Sequence, residues 1–600
     1  MTSFENLAAM FFAQAKRCAG RQRYRVKRNG RWQEVGWTAC ADRVRALALG
    51  LVSLGLQPGD RVALLVATRP EWMELDLAIL AVGGVTVPIY PSNLAHECGY
   101  IAWNSEASIV CVENAQQLAK IREVEREGFE LDGQFNRIAP RHIISVDETA
   151  DRDVMTLSQL VERGRAVAAS VVAQRLGKIG RDQLATIVYT SGTTGAPKGV
   201  MQSHGNHLSA VESTSQTRMV AEGDVDFFFL PLAHSFARLI EYLGLYVATV
   251  TAFAQSIETL MEDMRESRPN LIPSVPRIYE KVFSRVQAGR EETSAFKRLV
   301  LDWAFTIGRH RSERQQMGTA LSPALAVQAR LADQLVFSKI RALLGGQVKF
   351  LVSGGAPIAP EILEFFHAVG LLILEGYGLT ETTPILTVNR PGKFKFGTVG
   401  LPLEGVTLKI AADGEILAKG PNIALGYYKR PEATHEAWDQ DGWFHTGDIG
   451  EIDSEGFLKV TDRKKDLIKT SGGKYVAPQS IENMLKTQPH IGEAVVIGDR
   501  RKYCTALLSL DEEEVLAWAT RAGLTLPADR AAWRRDQRVV SVIDSEVAAI
   551  NRRLASYESI KYYRILPHGF SVEAGELTPT LKVRRKLVAQ RYRDLIEEMY

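Results

Sequence analysis

From about residue 60 the chain alternates short apolar runs with amphipathic segments. Residues 61–67 (RVALLVA) have the unbroken apolar character of a buried strand, and residues 70–82 read as a helix. Residues 85–90 and 108–113 read as further strands, and Leu184–Thr190 as another. The pattern returns at 349–353 (KFLVS), a strand followed by GGAP, a helix over 360–369 and a strand over 371–375. Strand and helix in turn predict an α/β fold, with helices covering a mostly parallel sheet. Glycines at the strand ends place a ligand at the carboxyl edge of that sheet.

Two stretches depart from this rhythm. Residues 290–345 are helical in pattern, hold nine Lys and Arg against five Asp and Glu, and include Trp303, Phe305 and the cluster RHRSER. They read as a solvated helical insertion, the alternative being a surface that meets anionic lipid or a partner. Near residue 462 the elements become shorter and more polar. Helices are expected at 478–487 and 539–555, and strands at 494–498, 505–510 and 562–566. The expected division is a large N-terminal domain, 1–462, and a small α+β C-terminal domain, 463–600, that moves.

Size and composition narrow the class. Six hundred residues exceed what one core organises. A net charge of +3 over that length gives no reason to expect nucleic acid. The five cysteines are scattered without a CxxC pair, which argues against a disulfide framework or zinc site and for a reducing, cytoplasmic setting. The amino terminus lacks the basic region of a signal peptide. The apolar run 239–253 carries Glu241 and falls short of the roughly 18–20 residues a membrane span requires. Peripheral membrane contact stays open.

The candidate chemistry begins with residues 189–200, YTSGTTGAPKGV. Glycines let backbone approach a polyphosphate, hydroxyls and free N–H groups donate to its oxygens, and Lys198 adds a point charge. A Walker loop would place Ser or Thr directly after its lysine, whereas Gly199 stands here. Four clusters follow. EGYGLTET (375–382) offers the Glu381 carboxylate near Thr380, oxygen ligands that suit Mg²⁺. WFHTGDIG (443–450) sets Asp448 after a glycine, where it can accept two ribose hydroxyls. DRKKDLIKTSGGKYVAP (462–478) joins basic residues to a flexible loop, and LTPTLKVRRK (577–586) brings Lys582 near the chain end.

In order and spacing these clusters resemble the adenylate-forming superfamily of acyl-CoA synthetases, luciferases and peptide-synthetase adenylation domains. The likeness is nearest to long-chain fatty acyl-CoA synthetases, on FFFLPLAHSFARL (227–239), PNLIPSVPRIYEKVF (269–283), KTSGGKYVAPQSIE (469–482) and LTPTLKVRRK. The resemblance implies ATP, Mg²⁺ and coenzyme A as small-molecule partners beside a fatty acid, and a dimer if any oligomer forms. It implies that Thr190, Ser191, Gly192, Thr193, Thr194, Gly195 and Lys198 hold the β- and γ-phosphates, with Thr190 and Glu381 on the metal. Tyr377, next to Gly378, would stack on adenine against Gly354, Gly355 and Ala356. Thr380 would reach the α-phosphate, and Asp448 and Arg463 the ribose. His234 would adjoin the acyl carboxylate, and Lys582 would serve adenylation only. Lys465 matches the hinge, and Gly472 and Gly473 would line the pantetheine path, with Arg584, Arg585 and Lys586 near the phosphates of coenzyme A. Leu232, Phe236 and Tyr242 are expected to wall an acyl tunnel; Trp72, Trp438 and Trp443 read as core aromatics.

Other readings compete. Aryl, medium-chain or sterol-side-chain acids would use the same chemistry, as would a fatty acyl-AMP ligase or a luciferase-like oxygenase. An amino-acid adenylation domain would place an aspartate at the start of the substrate segment, but Asp226 here precedes the phenylalanines. A non-catalytic nucleotide-binding homologue would be expected to lose at least one of Lys198, Glu381, Asp448, Arg463 and Lys582, and all are present.

Overall fold

The strand Arg61–Leu65 is apolar throughout its centre because parallel neighbours, Val85–Pro88 and Ala107–Val112, flank it while packed layers cover both faces. The computed structural model describes residues 3–131, 133–190, 196–291, 293–578 and 582–600. Six parallel strands, Leu184–Thr190 at one end and Met155–Thr156 at the other, form the body of an eight-stranded sheet. A nine-stranded sheet is built likewise from six parallel strands, running from Gln22–Arg28 to Ile373–Tyr377. Antiparallel strands finish both edges of the nine-stranded sheet and the Leu184–Thr190 side of the eight-stranded one. The helices Leu7–Arg17, Pro70–Ala81, His204–Ser215 and Ser235–Val247 lie between the sheets and share one core with them. This is the expected α/β architecture.

Some boundaries move for local reasons. The strand expected at 371–375 runs Ile373–Tyr377 instead. Gly370 turns the chain at φ +84°, and the Leu371 N–H is spent on the Phe366 carbonyl closing the preceding helix. The stretch 290–345 is not simply a solvated insertion. The helix Ala295–Gln316 lays Ala304, Ile307 and Gly308 against Pro360–Ala368. A Cβ at Gly308 would stand 2.7 Å from the Ala368 carbonyl oxygen, so the two helices meet through backbone. Only the outward faces of the segment are left to solvent.

Beyond Ile468, strands pair only with one another. Ile491–Ile497, Cys504–Leu510 and Ile560–Ile565 form one sheet. The helices Pro478–Lys486 and Gln537–Asn551 cover its face and complete a separate core. This unit touches the rest through polar groups. Arg277 donates to the Gly492 carbonyl at 2.8 Å, Arg584 pairs with Glu97 at 3.2 Å, and Arg553 pairs with Glu361. All five cysteines are free and buried. Among the described residues no helix is long and apolar enough to cross a membrane.

A buried ionic network ties the layers together. Arg238 Nη2 lies 2.9 Å from Asp76 Oδ1, Arg238 Nη1 donates to Thr186 Oγ1 at 2.6 Å, and the Tyr242 hydroxyl donates to Asp76 Oδ2 at 2.6 Å. Tyr242 is therefore a structural hydrogen-bonding residue, not the apolar tunnel wall the sequence suggested; its hydroxyl would be orphaned against an acyl chain. Trp72 lies under the Arg238 guanidinium in this core, while Trp438 and Trp443 are only half-buried. Asp76→Ala should leave Arg238 as an uncompensated buried cation and cost about 3–5 kcal/mol in urea unfolding. A loss below about 1 kcal/mol would show that the network holds nothing in place.

Candidate active site

The loop 191–197 joins an antiparallel pair whose register sets Thr190 opposite Lys198. Ser191, Gly192, Thr193, Thr194 and Gly195 lie outside the described residues. Their two anchors are fixed: the Thr190 hydroxyl donates to the Lys198 carbonyl at 3.4 Å, and the Tyr100 hydroxyl to the Pro197 carbonyl at 2.9 Å. The Lys198 ammonium sits 4.7 Å from the centre of the Tyr427 ring, whose hydroxyl donates to Glu381 Oε1 at 2.7 Å. One tyrosine thus spaces a lysine from a carboxylate. Sequence reasoning missed Tyr427; its only signal was an aromatic after glycine in ALGYYKRP.

Thr380 and Glu381 occupy a short 3-10 turn, Thr380–Thr382, two residues after the strand Ile373–Tyr377. Backbone contacts pin this turn. Gln202 Nε2 donates to the Thr380 carbonyl at 2.6 Å, and the Ala424 N–H to that of Glu381 at 2.8 Å. Gly378 has a packing reason of its own: a Cβ there would land 1.8 Å from the Pro384 carbonyl oxygen. Gly354, Gly355 and Ala356 turn away from the end of Phe350–Ser353, with Gly355 at φ +84° and the Phe236 ring 3.3 Å from where a Gly354 Cβ would stand.

Asp448 links this edge to the next sheet. It lies opposite Arg463 across two antiparallel strands. Its Oδ2 accepts from the Tyr377 hydroxyl at 2.7 Å, and its Oδ1 lies 3.4 Å from Arg463 Nε. Burial raises its pKa, opposed by the charge of Arg463, the Tyr377 hydrogen bond and the charge of Lys582. A carboxylate has about four acceptor positions, so two of Asp448's remain for hydroxyl donors.

Lys582 comes to this place from the C-terminal unit. Its strand-like segment is held by Thr578, whose hydroxyl accepts the Lys582 N–H at 3.0 Å and whose N–H donates to the Lys582 carbonyl. Solvent reaches the side chain, yet protein crowds its ammonium. Burial first, and then repulsion from Arg463, lowers its pKa to about 8 against the attraction of Asp448 and Glu381. The same ammonium acts on His234. Burial chiefly, with Lys582's charge added, brings that imidazole down to about 4. His234 caps the helix Ser235–Val247, its Nδ1 accepting the Phe236 N–H at 3.1 Å. Neutral, with Nδ1 as acceptor, the ring keeps its proton on Nε2 as a donor.

Lys198, Glu381, Asp448, Arg463, Lys582 and His234 are therefore brought together. Lys465 is not; it is exposed just beyond the strand Leu458–Arg463 and makes no ion pair among the described residues. Gly472 and Gly473 belong to the hairpin of Ile468–Lys469 and Tyr475–Val476. Hydrogen bonds there run from Gly473 to Thr470 and from Ser471 to Arg501, none to the Asp448 cluster. Arg585 is drawn away by Glu482 and Arg584 by Glu97, while Lys586 is exposed.

For Mg²⁺ the donors fit. Glu381 has a half-exposed carboxylate, one oxygen of which accepts from Tyr427, and Thr190 adds a hydroxyl. A sparse oxygen set suits an ion that keeps its waters and takes its other ligands from phosphates.

A family model described as AMP-binding enzyme matches residues 11–428, and one described as AMP-binding enzyme C-terminal domain matches 465–600. The chain belongs to the AMP-binding enzyme family. Within that family the long-chain-fatty-acid–CoA ligase FadD15 of Mycobacterium bovis is 37% identical over 99% of this chain and 97% of its own. The long-chain-fatty-acid–CoA ligase ACSBG2 of Xenopus laevis is 32% identical over 96% of this chain and 81% of its own. Two solved structures share the fold. The adenylation domain of a carboxylate reductase from Mycobacterium chelonae has a TM-score of 0.76 at 22% identity, covering 99% of this chain and 91% of that one. The anthranilate CoA ligase AuaEII in complex with anthranoyl-AMP has 0.73 at 18%, covering 100% and 99%.

A cation that must face anions only while protonated gives a pH limb. As pH rises through about 8, Lys582 loses its proton, so kcat/KM for ATP in the adenylation half-reaction should fall above that pH. In Lys582→Ala the residual rate should lack this inflection. The same limb in both proteins would assign it to another group.

Proposed function

We propose that the protein is a long-chain fatty acid:CoA ligase that makes an acyl-adenylate and then a thioester. One observation carries the mechanism: Lys582, more than a hundred residues beyond Arg463 in sequence, reaches the cluster of Glu381, Asp448, Arg463 and His234. The choice of acid rests on similarity along the whole chain to ligases of that name.

In the first step a carboxylate oxygen attacks the α-phosphorus of ATP and the bond to the bridging oxygen breaks, releasing pyrophosphate. An anion must approach an anion, so the protein's task is to neutralise charge and align the groups. In this reading Lys582 serves the carboxylate and bridging oxygen, His234 Nε2–H orients the acid, and Lys198 meets the departing pyrophosphate. Thr380 reaches the α-phosphate. Asp448 and Arg463 hold the ribose, and Tyr377 packs on adenine against the Gly354–Ala356 turn. Mg²⁺, held by Thr190 and Glu381, would neutralise phosphate charge.

In the second step the thiolate of coenzyme A attacks the acyl carbonyl, the thiol proton goes to solvent, and AMP leaves with the carboxyl-derived oxygen. Room for the thiol requires Lys582 to withdraw. We assign residues 1–462 to the fixed domain and 463–600 to the moving one, turning at Lys465. The polar character of their contacts supports such separation. The hairpin carrying Gly472 and Gly473 would then come to line the pantetheine path.

Lys582→Ala should slow acyl-AMP formation by about 10²–10³ and leave thioester formation from supplied acyl-AMP near the parent rate. Equal loss in both half-reactions would end the division of labour. With wild-type protein, long-chain acids should release AMP in a CoA-dependent manner far faster than acetate or benzoate. The reverse order would overturn the substrate assignment.

A further inference from the structure

Seven of the eighteen large apolar side chains exposed among the described residues fall between residues 290 and 345, under a tenth of the chain. Four of them form one stripe. The helical run from Pro323 to Ala342 passes through a π-helical turn, Asp333–Phe337. Along it and just past it, Val327, Leu331, Leu335 and Leu343 recur at multiples of four residues, each 45–62% exposed. Steps of four overshoot a full α-helical turn by about 40°, and the wider π turn takes up part of that drift. The opposite face is already used: Ala329, Ala332, Val336, Phe337 and Leu344 are buried in the core. The run is therefore apolar on both sides, and its outer side has no protein partner among the described residues.

The unpaired charges on this run are of one sign, and Glu313 of the neighbouring helix faces His310 at 3.4 Å. Arg330 adjoins Leu331, and Lys339 occupies the stripe's remaining position; neither makes an ion pair among the described residues. The one acid of the run, Asp333, is cancelled by a two-pronged pair with Arg341 at 2.7 and 2.9 Å. Residues 290–345 carry an excess of four positive charges, whereas the whole chain carries three, so the rest of the protein is close to neutral. A second copy docking here would set Arg330 and Lys339 against their own kind. An anionic partner would not.

We propose that this face lies on an anionic phospholipid bilayer, its leucines and valine inserted at the headgroup boundary and Arg330 and Lys339 level with the phosphates. Four apolar side chains and two cations favour reversible, salt-sensitive adsorption rather than anchoring.

The test is co-flotation of the full chain with vesicles of phosphatidylcholine, alone or with roughly one-third phosphatidylglycerol. The protein should float with the anionic vesicles, stay behind with the neutral ones, and detach as salt rises. Leu331→Ser with Leu335→Ser should lower partitioning about tenfold, and so should Arg330→Glu with Lys339→Glu. ATP–pyrophosphate exchange, which these exposed positions do not serve, should be retained and shows that the variants fold. Absent flotation of the parent, or flotation unchanged in both variants, overturns the proposal. So does a lipid-free dimer, seen by analytical ultracentrifugation, that the serine pair dissolves, since the face would then belong to a second copy.

Discussion

Three cations, Lys198, Arg463 and Lys582, converge on one site that also holds the carboxylates of Glu381 and Asp448. Each carboxylate is itself held by a tyrosine hydroxyl, Glu381 by Tyr427 and Asp448 by Tyr377. Asp466, which also acts on Arg463, supplies a third acid, so cations and carboxylates balance and Lys582 stands out as the most crowded cation among them. In the protein alone burial first, and repulsion from Arg463 second, disfavour the charged form of Lys582. A triphosphate and a carboxylate bound here would favour that charged form. Their binding energy would then help hold the C-terminal unit in place.

The contacts between the units suit such a dependence. Each has its own apolar core, and the link between them is made by arginines on carboxylates and backbone carbonyls. These contacts are polar and only partly buried, so a turn of the small unit would uncover no large hydrophobic area. Rigidity is placed elsewhere. The Arg238–Asp76–Tyr242–Thr186 network fixes the helix that His234 caps to the strand that ends at Thr190. His234 and Thr190 are thereby indexed to one buried frame, whereas Lys582 belongs to the other unit.

Much of this was legible in the sequence. The alternation of apolar runs gave the parallel sheets, because strands covered on both faces must be apolar along their length. Glycine-rich and acidic strings gave Lys198, Glu381 and Asp448, because phosphate and ribose chemistry needs those residue types, whereas Lys582 came from the likeness of LTPTLKVRRK to the superfamily. What pattern could not supply was orientation. Tyr427 and Gln202 hold the site through a ring face and a side-chain amide, and nothing in a one-dimensional string says which way these point. Tyr242 looked like tunnel lining because its neighbours are apolar; its hydroxyl is committed to Asp76 across 166 positions of sequence. The 290–345 segment looked merely solvated because its basic residues dominate the pattern, although Ala304, Ile307, Ala329, Ala332 and Phe337 turn inward.

The most direct test of the central claim fixes the small unit where it stands. Glu97→Cys and Arg584→Cys place thiols on the two sides of the Arg584–Glu97 contact, and the five native cysteines are buried. A short bismaleimide spanning about 10 Å can bridge long side-chain positions that a disulfide, with its limit of about 7 Å between Cα atoms, cannot. The bridged enzyme should release one equivalent of pyrophosphate, retain acyl-AMP, and make no thioester when coenzyme A is added. Full thioester turnover in the bridged form, or no acyl-AMP at all, would contradict a single lysine serving one step by arriving and the next by leaving.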